Sequence, residues 1–509
     1  MTFLEDRDLQ DVPSIKEYYK GKTIFITGGS GFMGKVLIEK LLYSCTDLER
    51  VYLLLRSKKG VKSEDRLADL YKSSCFERLR KEMPNVFKEK VFFVAGDIAE
   101  LGLGLSDEDR MLLINRVNIV FHVAASVRFN DELQVAAKLN LRATKEIVDL
   151  AKEMHNLESF IHVSTGYSNT NRETIEEVMY PPHADWRDTL AICESIDPQE
   201  LKALTPKYLG VLPNTYVFMK QLAEHVVYEN RGKLPAVILR PSIVISANVE
   251  PIPGWNASLN GPLGVMIANA KGILRTVLSD PDLRADYIPV DVAIKNFIAA
   301  AWIRGTKKLE PTDDIPIYNI CAGSLNTITM QEMVDNGIAV MDIMPFDNVI
   351  WVSNNPKVSS SRLRYNISVL FEHLLPSLFI DLLLYLMGKK PLLVKIQRRI
   401  YVAQIALQYF TTQQWTFCND NFIKLRSVLK EDDKKEFYYE IENIDHWSYM
   451  VDSGYGARKY VLNEKDEDLP KARAHYKRMK IIRKITHGLF YIFVFWWFWR
   501  TEFVQNLLS

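Results

Sequence analysis

The chain has few cysteines and almost no excess of charge of either sign. Five cysteines are spread over 509 residues without a C-x-x-C pair, so the sequence indicates neither a disulfide framework nor a zinc site. The formal net charge is +1, whereas a nucleic-acid-binding protein normally carries a basic excess. We therefore expect no bound metal and no nucleic-acid partner.

The N-terminus lacks the long apolar run that a secretory signal peptide needs, because residues 1–6 already include Glu5 and Asp6. We expect the catalytic part of the protein to face the cytosol. The chain is 48% hydrophobic and 25% charged, which is typical of a globular protein. Its length allows two or three domains.

A glycine-rich turn is the main motif of the sequence. Thr27–Gly34 reads T-G-G-S-G-F-M-G, between a strand-like run at Thr23–Ile26 and a helical pattern at Lys35–Leu42. Bare backbone at the N-terminus of a helix is where proteins bind a pyrophosphate. The spacing is G-x-x-G-x-x-G, which differs from the standard fingerprint. We predict a dinucleotide site formed by Gly28, Gly29, Ser30, Gly31, Phe32, Met33 and Gly34.

Apolar strand-like runs alternate with helical patterns after this turn. Such alternation predicts an α/β fold, with right-handed crossovers and a parallel sheet covered on both faces. We expect a doubly wound Rossmann-type sheet from about residue 20 to about residue 330, with a smaller substrate-binding part. The runs are Val51–Leu55, Val91–Ala95, Ile119–Ala124, Ser159–Val163 and Ala236–Arg240.

The residues that follow these runs predict the identity of the nucleotide. Arg56 and Lys58 stand where an NAD-specific site has an acid, so the pair favours the 2′-phosphate of NADP(H). Both could instead be solvated loop cations. Further cofactor contacts are expected from Asp97 and Ile98 (adenine) and from the small residues Ala124, Ala125 and Ser126.

A catalytic pattern follows in the second half of the sheet. The run Ser159–Val163 leads to Ser164 and Thr165, whose hydroxyls can hold a substrate oxygen. Tyr216 and Lys220 are four residues apart, so they share one face of a helix. A lysine cation near a phenol favours the phenolate, which would let Tyr216 exchange a proton.

These motifs, together with Arg240-Pro241-Ser242, resemble an extended short-chain dehydrogenase/reductase. The resemblance implies a catalytic triad of Thr165, Tyr216 and Lys220, and it adds Lys220 and Pro241 to the cofactor site. The chain has Gly166 and Met219 where family members often have Ala and Thr, but neither change affects a proposed catalytic side chain.

Narrower motifs resemble the alcohol-forming fatty acyl-CoA reductases over nearly the whole chain. This resemblance implies that NADPH reduces a long-chain or very-long-chain acyl-CoA to the primary alcohol in two hydride transfers, without an acyl-cysteine. The motifs are Pro253-Gly254-Trp255, Asn260-Gly261-Pro262, Gly272-Ile273-Leu274-Arg275 and Asp286-Tyr287-Ile288-Pro289-Val290-Asp291.

Two alternatives stay open at this point. The glycine turn and the triad also fit another extended reductase, acting on a sterol or a nucleotide sugar. The chain could also be a catalytically silent scaffold that binds nucleotide, although such a scaffold has no need of Tyr216 and Lys220 together.

The character of the sequence changes after the reductase region. We expect domains at 1–335 (NADP-binding), 336–465 (α-helical, similar to the male-sterility domain of those reductases) and 466–509 (basic segment and anchor), with Asn354-Asn355-Pro356 as a linker. Leu374–Met387 is strongly apolar but shorter than the ~20 residues of a membrane span. It predicts a buried or interfacial amphipathic helix.

The tail combines a basic flank with a dense aromatic cluster. Seven Lys and Arg residues between 471 and 484 precede the apolar run Leu489–Trp499, a pattern that favours a membrane anchor with its basic side in the cytosol. We therefore expect two partners, fatty acyl-CoA and the lipid bilayer. No C-terminal S-K-L signal is present, so we expect the endoplasmic reticulum, with the peroxisome as the alternative.

Overall fold

The computed structural model describes residues 12–56, 63–257, 259, 261–306, 314–353 and 357–500. Lys58 and the expected linker Asn354-Asn355-Pro356 lie outside these described residues, as do Asn260 and the last residues of the tail.

The strands within the described residues follow the apolar runs of the sequence closely. They are β1 (Thr23–Thr27), β2 (Arg50–Leu55), β3 (Val91–Ala95), β4 (Ile119–His122), β5 (Ser159–Val163), β6 (Thr174–Ile175), β7 (Ala236–Pro241), β8 (Ile243–Ile245), β9 (Thr276–Leu278), β10 (Tyr287–Pro289), β11 (Ile317–Ile320), β12 (Lys357–Ser359) and β13 (Thr416–Phe417).

The described α-helices fill most of the intervals between the strands. They are α1 (Ile15–Tyr19), α2 (Phe32–Ser44), α3 (Ser63–Tyr71), α4 (Glu77–Glu82), α5 (Val86–Lys90), α6 (Asp107–Arg116), α7 (Leu133–Ala136), α8 (Ala143–Glu153), α9 (Trp186–Ser195), α10 (Pro198–Leu209), α11 (Thr215–Tyr228), α12 (Pro262–Ala270), α13 (Val290–Thr306), α14 (Met330–Ile343), α15 (Arg362–Ser368), α16 (Leu375–Leu386), α17 (Leu393–Thr411), α18 (Asp420–Ser427), α19 (Glu431–Phe437), α20 (His446–Gly456) and α21 (Leu469–Trp499).

Seven strands form one parallel sheet with the order β11-β7-β5-β4-β1-β2-β3. The order reverses between β1 and β4, which is the topological switch point where doubly wound sheets bind ligands. Every residue of β1, β4, β5, β7 and β11 is buried, as expected for a sheet covered on both faces. Helix α2 packs against α13, and α8 packs against α11. The predicted α/β fold with a parallel sheet is confirmed.

The described chain divides into two compact units that are discontinuous in sequence. The first contains residues 1–257, 284–327 and 414–445, and it includes the whole seven-stranded sheet. The second contains residues 258–283, 328–413 and 446–509 and is mainly helical. The domains predicted from the sequence, with boundaries after residues 335 and 465, are continuous segments. They stay a prediction.

The apolar segment at Leu374–Met387 belongs to a longer helical run than the sequence indicated. Among the described helices, the run Arg362–Leu386 is the one long and apolar enough to cross a membrane by length and composition; 17% of its most apolar window is buried. The expectation of a buried helix is wrong, because Phe379 and Leu386 are 63% and 72% exposed. The interfacial alternative stays a prediction.

The tail forms one continuous helix rather than separate basic and apolar elements. The first part of α21 belongs to the packed second unit, because Ala472 and Tyr476 are buried. From Leu489 to Trp499 the large apolar side chains are exposed. The packed part of the second unit therefore extends past Asp468.

Candidate active site

The glycine turn leaves no room for side chains where β1 meets α2. Gly28 has a φ of +77°, and a Cβ there would lie 2.7 Å from the backbone nitrogen of Ala124. A Cβ on Gly34 would lie 2.3 Å from the carbonyl oxygen of Gly28. Gly31 is the N-cap of α2 and supplies no side-chain cap, so the N-terminus of α2 can bind an anion. This cradle fits the pyrophosphate of a dinucleotide.

Two of the residues predicted to bind the nucleotide pair with each other. Arg56 follows β2 and Asp97 lies just beyond β3, and Arg56 Nε is 3.3 Å from Asp97 Oδ2. The other carboxylate oxygen of Asp97 accepts a hydrogen bond from the Ala99 backbone at 3.0 Å. The Arg56 side chain is 64% exposed, so it can still reach a phosphate.

A buried histidine fixes the loop that follows β4. Thr144 donates to the Asn140 carbonyl at 2.7 Å and lies 3.1 Å from His122 Nε2, while His122 Nδ1 lies 2.8 Å from Thr27 Oγ1. Because the Thr144 proton is already used, we assign the ring proton of His122 to Nε2. Burial lowers the pKa of His122 to about 3, with a smaller effect from Lys220. The ring is therefore neutral.

This chain of hydrogen bonds ends on the backbone of the loop Ala124–Ser126, which the sequence predicts to contact the cofactor. The Ala124 amide donates to Thr27 Oγ1 at 3.3 Å. The Asn140 side chain accepts from the Ser126 amide at 2.8 Å and donates to the Ser126 carbonyl at 3.0 Å. The Ser126 hydroxyl donates to Asp131 at 2.5 Å. The loop of small residues is thus held from two sides.

Tyr216 and Thr165 meet at the end of β5. Thr165 directly follows Ser164 at the end of this strand, and α11 packs against the short 3₁₀ turn Gly166–Asn169. Burial raises the pKa of Tyr216 to about 12, and the hydrogen bond with Thr165 acts in the opposite direction. The Phe129 ring lies 5.7 Å from the Tyr216 ring, centroid to centroid. The phenol is therefore protonated at neutral pH, and the expected shift toward the phenolate beside Lys220 is wrong, because burial has the larger effect.

Lys220 lies beneath the same strand end, with its amino group donating to the Val163 carbonyl at 2.7 Å. Burial lowers the pKa of Lys220 to about 8, and the Glu224 carboxylate opposes this effect. The side chain is buried but still mostly protonated at pH 7. It can therefore act as a fixed cation within the site.

Ser164 is placed differently from Thr165. Its hydroxyl donates to Glu224 at 2.5 Å, and Ser168 donates to the same oxygen at 3.0 Å. Arg240 forms two hydrogen bonds to Glu224, at 3.0 and 2.8 Å, and both side chains are at most 1% exposed. The Ser164 hydroxyl is therefore bound to the buried Glu224–Arg240 ion pair, whereas the Thr165 hydroxyl is bound to Tyr216.

The cysteines offer no activated thiol. Cys45, Cys75, Cys193 and Cys321 are buried and Cys418 is half-buried. Burial raises the pKa of the Cys193 thiol to about 11 and raises the pKa of the other four as well. The thiolate is the nucleophilic form, so these groups are poorly suited to accept an acyl chain.

Comparison with known proteins identifies the family. A model described as male sterility protein matches residues 26–297, and a second with the same description matches residues 372–464. Fatty acyl-CoA reductase 1 from Homo sapiens is 39% identical over 92% of this chain and 90% of its own length. Fatty acyl-CoA reductase wat from Drosophila melanogaster is 35% identical over 97% and 96%. The chain belongs to the fatty acyl-CoA reductase family.

As a member of this family the protein is an oxidoreductase with a nicotinamide-nucleotide-binding domain. A reductase domain of a nonribosomal peptide synthetase from Mycobacterium tuberculosis shares its fold, with a TM-score of 0.58 at 17% identity over 90% of this chain and 97% of that one. The terminal reductase domain of the myxalamid pathway gives a TM-score of 0.57 at 16% identity over 88% and 92%.

Several positioning residues of this reductase were not identified from its sequence. Glu224 lies one helical turn after Lys220, a spacing that could have drawn attention to it. Asn140 and Asp131 lie inside a helical pattern and an ordinary loop, and no local signal marks them. The pairing of Arg56 with Asp97 likewise depends on β2 and β3 being neighbours in the sheet.

The Glu224–Arg240 pair predicts a large effect on the stability of the reductase. Glu224→Gln should lower the free energy of unfolding by roughly 3–5 kcal/mol, because it leaves the Arg240 charge buried without a counter-ion. Glu229→Gln is the matched control just after α11. Glu229 also forms an ion pair, but its side chain is 38% exposed and that of its partner Arg187 is 58% exposed. The control should cost less than about 1 kcal/mol.

Denaturant unfolding of the purified proteins measures both variants. A loss for Glu224→Gln no larger than that of the control would contradict the stabilising role assigned to the buried pair.

Proposed function

We propose that this protein reduces a long-chain or very-long-chain fatty acyl-CoA to the primary alcohol with NADPH. The observation that carries the proposal is the hydrogen-bonded pair Thr165 and Tyr216, with the buried Lys220 one helical turn along α11. Family membership supplies the substrate class, because the relatives are named for fatty acyl-CoA.

Thr165, Tyr216 and Lys220 have separate roles in the proposed reaction. A bound nicotinamide cofactor supplies the hydride that reduces the thioester carbonyl. Thr165 and Tyr216 hold the carbonyl oxygen, and Tyr216 gives its proton to the oxyanion that forms. A phenol with a raised pKa can still protonate an alkoxide, since the alkoxide is the stronger base. The Lys220 cation then stabilises the phenolate until a proton returns.

The same site completes both reductions. As the C–S bond of the tetrahedral intermediate breaks, its hydroxyl proton returns to the Tyr216 phenolate, the CoA thiolate leaves and the aldehyde remains. For the aldehyde, Thr165 and Tyr216 would hold the carbonyl oxygen in the same way, and Tyr216 would supply the second proton while a second reduced cofactor would supply the second hydride, giving the alcohol. The raised pKa of the cysteine thiols supports direct transfer to the thioester without an acyl-enzyme.

Ser164 has a positioning role in this proposal. Its hydroxyl is bound to Glu224, so it fixes the strand end from which Thr165 projects. Gly28, Gly31 and Gly34 hold the pyrophosphate, while the loop Ala124–Ser126 lines the cofactor together with Ile98, which follows β3, and Pro241, which ends β7.

We also propose that the exposed part of α21 anchors the protein in the endoplasmic reticulum membrane, with the catalytic part in the cytosol. The support is the aromatic surface from Leu489 to Trp499, which follows a basic helical segment.

Tyr216→Phe tests the chemistry. The variant lacks the acidic proton, and alcohol formation from acyl-CoA should fall by ~10²–10⁴. Reduction of supplied fatty aldehyde should fall similarly, because one site serves both steps. NADPH binding should persist, because the glycine turn is untouched. Lipid products and cofactor oxidation are measured with purified enzyme.

The matched control is Tyr228→Phe, which removes a phenol from the end of the same helix and should leave the rate within about twofold. Near-normal alcohol output from Tyr216→Phe would show that the proposed acid is wrong. Aldehyde reduction that survives in this variant would require a second site.

Arg56→Gln tests the cofactor preference. The unmodified enzyme should strongly prefer NADPH to NADH, and the variant should lose about 10–100-fold in kcat/KM for NADPH alone, since a charge-assisted hydrogen bond contributes ~1.5–3 kcal/mol. Arg50→Gln, at the opposite end of β2, is the control. Equal rates with both cofactors in the unmodified enzyme would contradict the assignment.

A chain that ends at His487 tests the anchor. It keeps the buried Tyr476 and should stay folded, yet it should leave carbonate-washed membranes, because carbonate removes proteins held only at the surface. Circular dichroism and NADPH binding check the fold of the truncated protein. A truncated chain that still sediments with washed membranes would place the anchor elsewhere.

A further inference from the structure

Helix α16 in the second unit carries its apolar side chains on the outside. Leucine or phenylalanine recurs at spacings of three and four residues along one face, and these side chains are 43% to 72% exposed. Such spacing normally marks the side of a helix that packs into a core. The exposed set is Leu375, Leu378, Phe379, Leu382, Leu383 and Leu386.

The inward face of α16 is the polar one. Ser377 and Asp381 are 5% and 7% exposed. The Asp381 carboxylate accepts hydrogen bonds from the backbone amides of Leu392, Leu393 and Val394, at 3.0, 3.0 and 2.9 Å. It therefore caps the start of α17 and fixes a helical hairpin, residues 375–411. The polarity of this hairpin is inverted relative to a water-soluble helix pair.

The helical run that contains α16 is held in the packed unit at its other end. Tyr365 is 1% exposed. Arg275 donates from its backbone to His373 Nε2 at 3.0 Å and from its guanidinium to the Glu372 carbonyl at 2.9 Å. Within the described residues, Leu375–Leu386 forms no such hydrogen bond with the unit outside the hairpin. That part is shorter than the ~20 residues of a span.

Exposed basic residues lie in the turn and in the helix next to the exposed apolar face. Lys389 and Lys390 are exposed in the turn of the hairpin, and three further exposed cations follow in α17. No acidic residue occurs in the sequence between Asp381 and Asp420. A cationic rim beside an apolar surface matches an anionic lipid interface. It disfavours pairing with a second copy of the same face, because the two basic rims would repel each other.

We propose that the tip of this hairpin inserts into the interface of an anionic bilayer as a monotopic contact, separate from the exposed part of α21. The inference rests on the proposed action at a membrane but does not depend on the C-terminal anchor. The exposed apolar face would contact lipid chains, and the basic residues of the rim would bind lipid phosphates.

Depth-dependent quenching in the full-length protein tests this contact. An environment-sensitive fluorophore is attached to Leu382→Cys, Val494→Cys or Gln413→Cys, each with Cys418→Ser because the other four cysteines are buried. Gln413 lies beyond the far end of α17, about 30 Å of helix away from the turn. The vesicles contain phosphatidylcholine and phosphatidylserine, with a lipid-borne quencher near the headgroups or at the bilayer centre.

We expect blue-shifted emission at residue 382, quenched best by the shallow quencher, and no lipid quenching at residue 413. Charge reversal of Lys389 and Lys390 should lower the quenched fraction at residue 382 severalfold, since one cation near an anionic surface changes partitioning about fivefold. The probe at residue 494 reports the C-terminal anchor independently. A silent probe at 494 with a quenched probe at 382 would contradict the anchor and support the hairpin contact.

Three results would overturn the proposal. A probe at residue 382 that stays in water shows that the hairpin avoids the bilayer. A blue shift without lipid quenching shows that protein covers the face, either a second copy or another partner. Strongest quenching at residue 382 by the central quencher shows a spanning helix rather than an interfacial one.

Discussion

The close backbone contact around Gly28 is the constraint on which the catalytic unit depends. Here the end of β1, the start of α2 and the loop after β4 come so close together that a single added Cβ would overlap backbone atoms. The contact brings the N-terminus of α2 to the switch point of the sheet. Thr27 and His122 are register partners of the adjacent strands β1 and β4, so their side chains can share a hydrogen bond. The shape of the glycine turn therefore depends on the same backbone contacts that join β1, α2 and the loop after β4.

Buried polar groups then fix the parts that the sheet alone leaves adjustable. A neutral imidazole and an amide hold the loop Ala124–Ser126, while the Glu224–Arg240 pair holds the strand end beside Thr165. Removing charges from water is costly unless every lone pair finds a donor. Glu224 meets this condition with two serines and one guanidinium. Its charge also opposes the effect of burial on Lys220, which links the structural pair to the reactive group.

The second unit follows a different rule from the first. The sheet of the catalytic unit buries its apolar residues, whereas the hairpin of the second unit buries Asp381 and exposes leucines. The first part of α21 packs like an ordinary amphipathic helix, and its aromatic continuation does not. Both exposed surfaces follow segments that are packed in the unit.

The sequence by itself determined the fold class, six of the seven strands of the sheet and the family, whereas β11 was not among the predicted runs. Alternating apolar runs and turn residues are local signals, and they located β3 and β5 to the residue. The motif spacing likewise placed Tyr216 and Lys220 on one helix. Only the tertiary structure separated Thr165 from Ser164, because their environments depend on α11 and β7 packing against the end of β5. It also showed which face of α16 is exposed, since hydrophobic periodicity gives the direction of a face but not what lies against it.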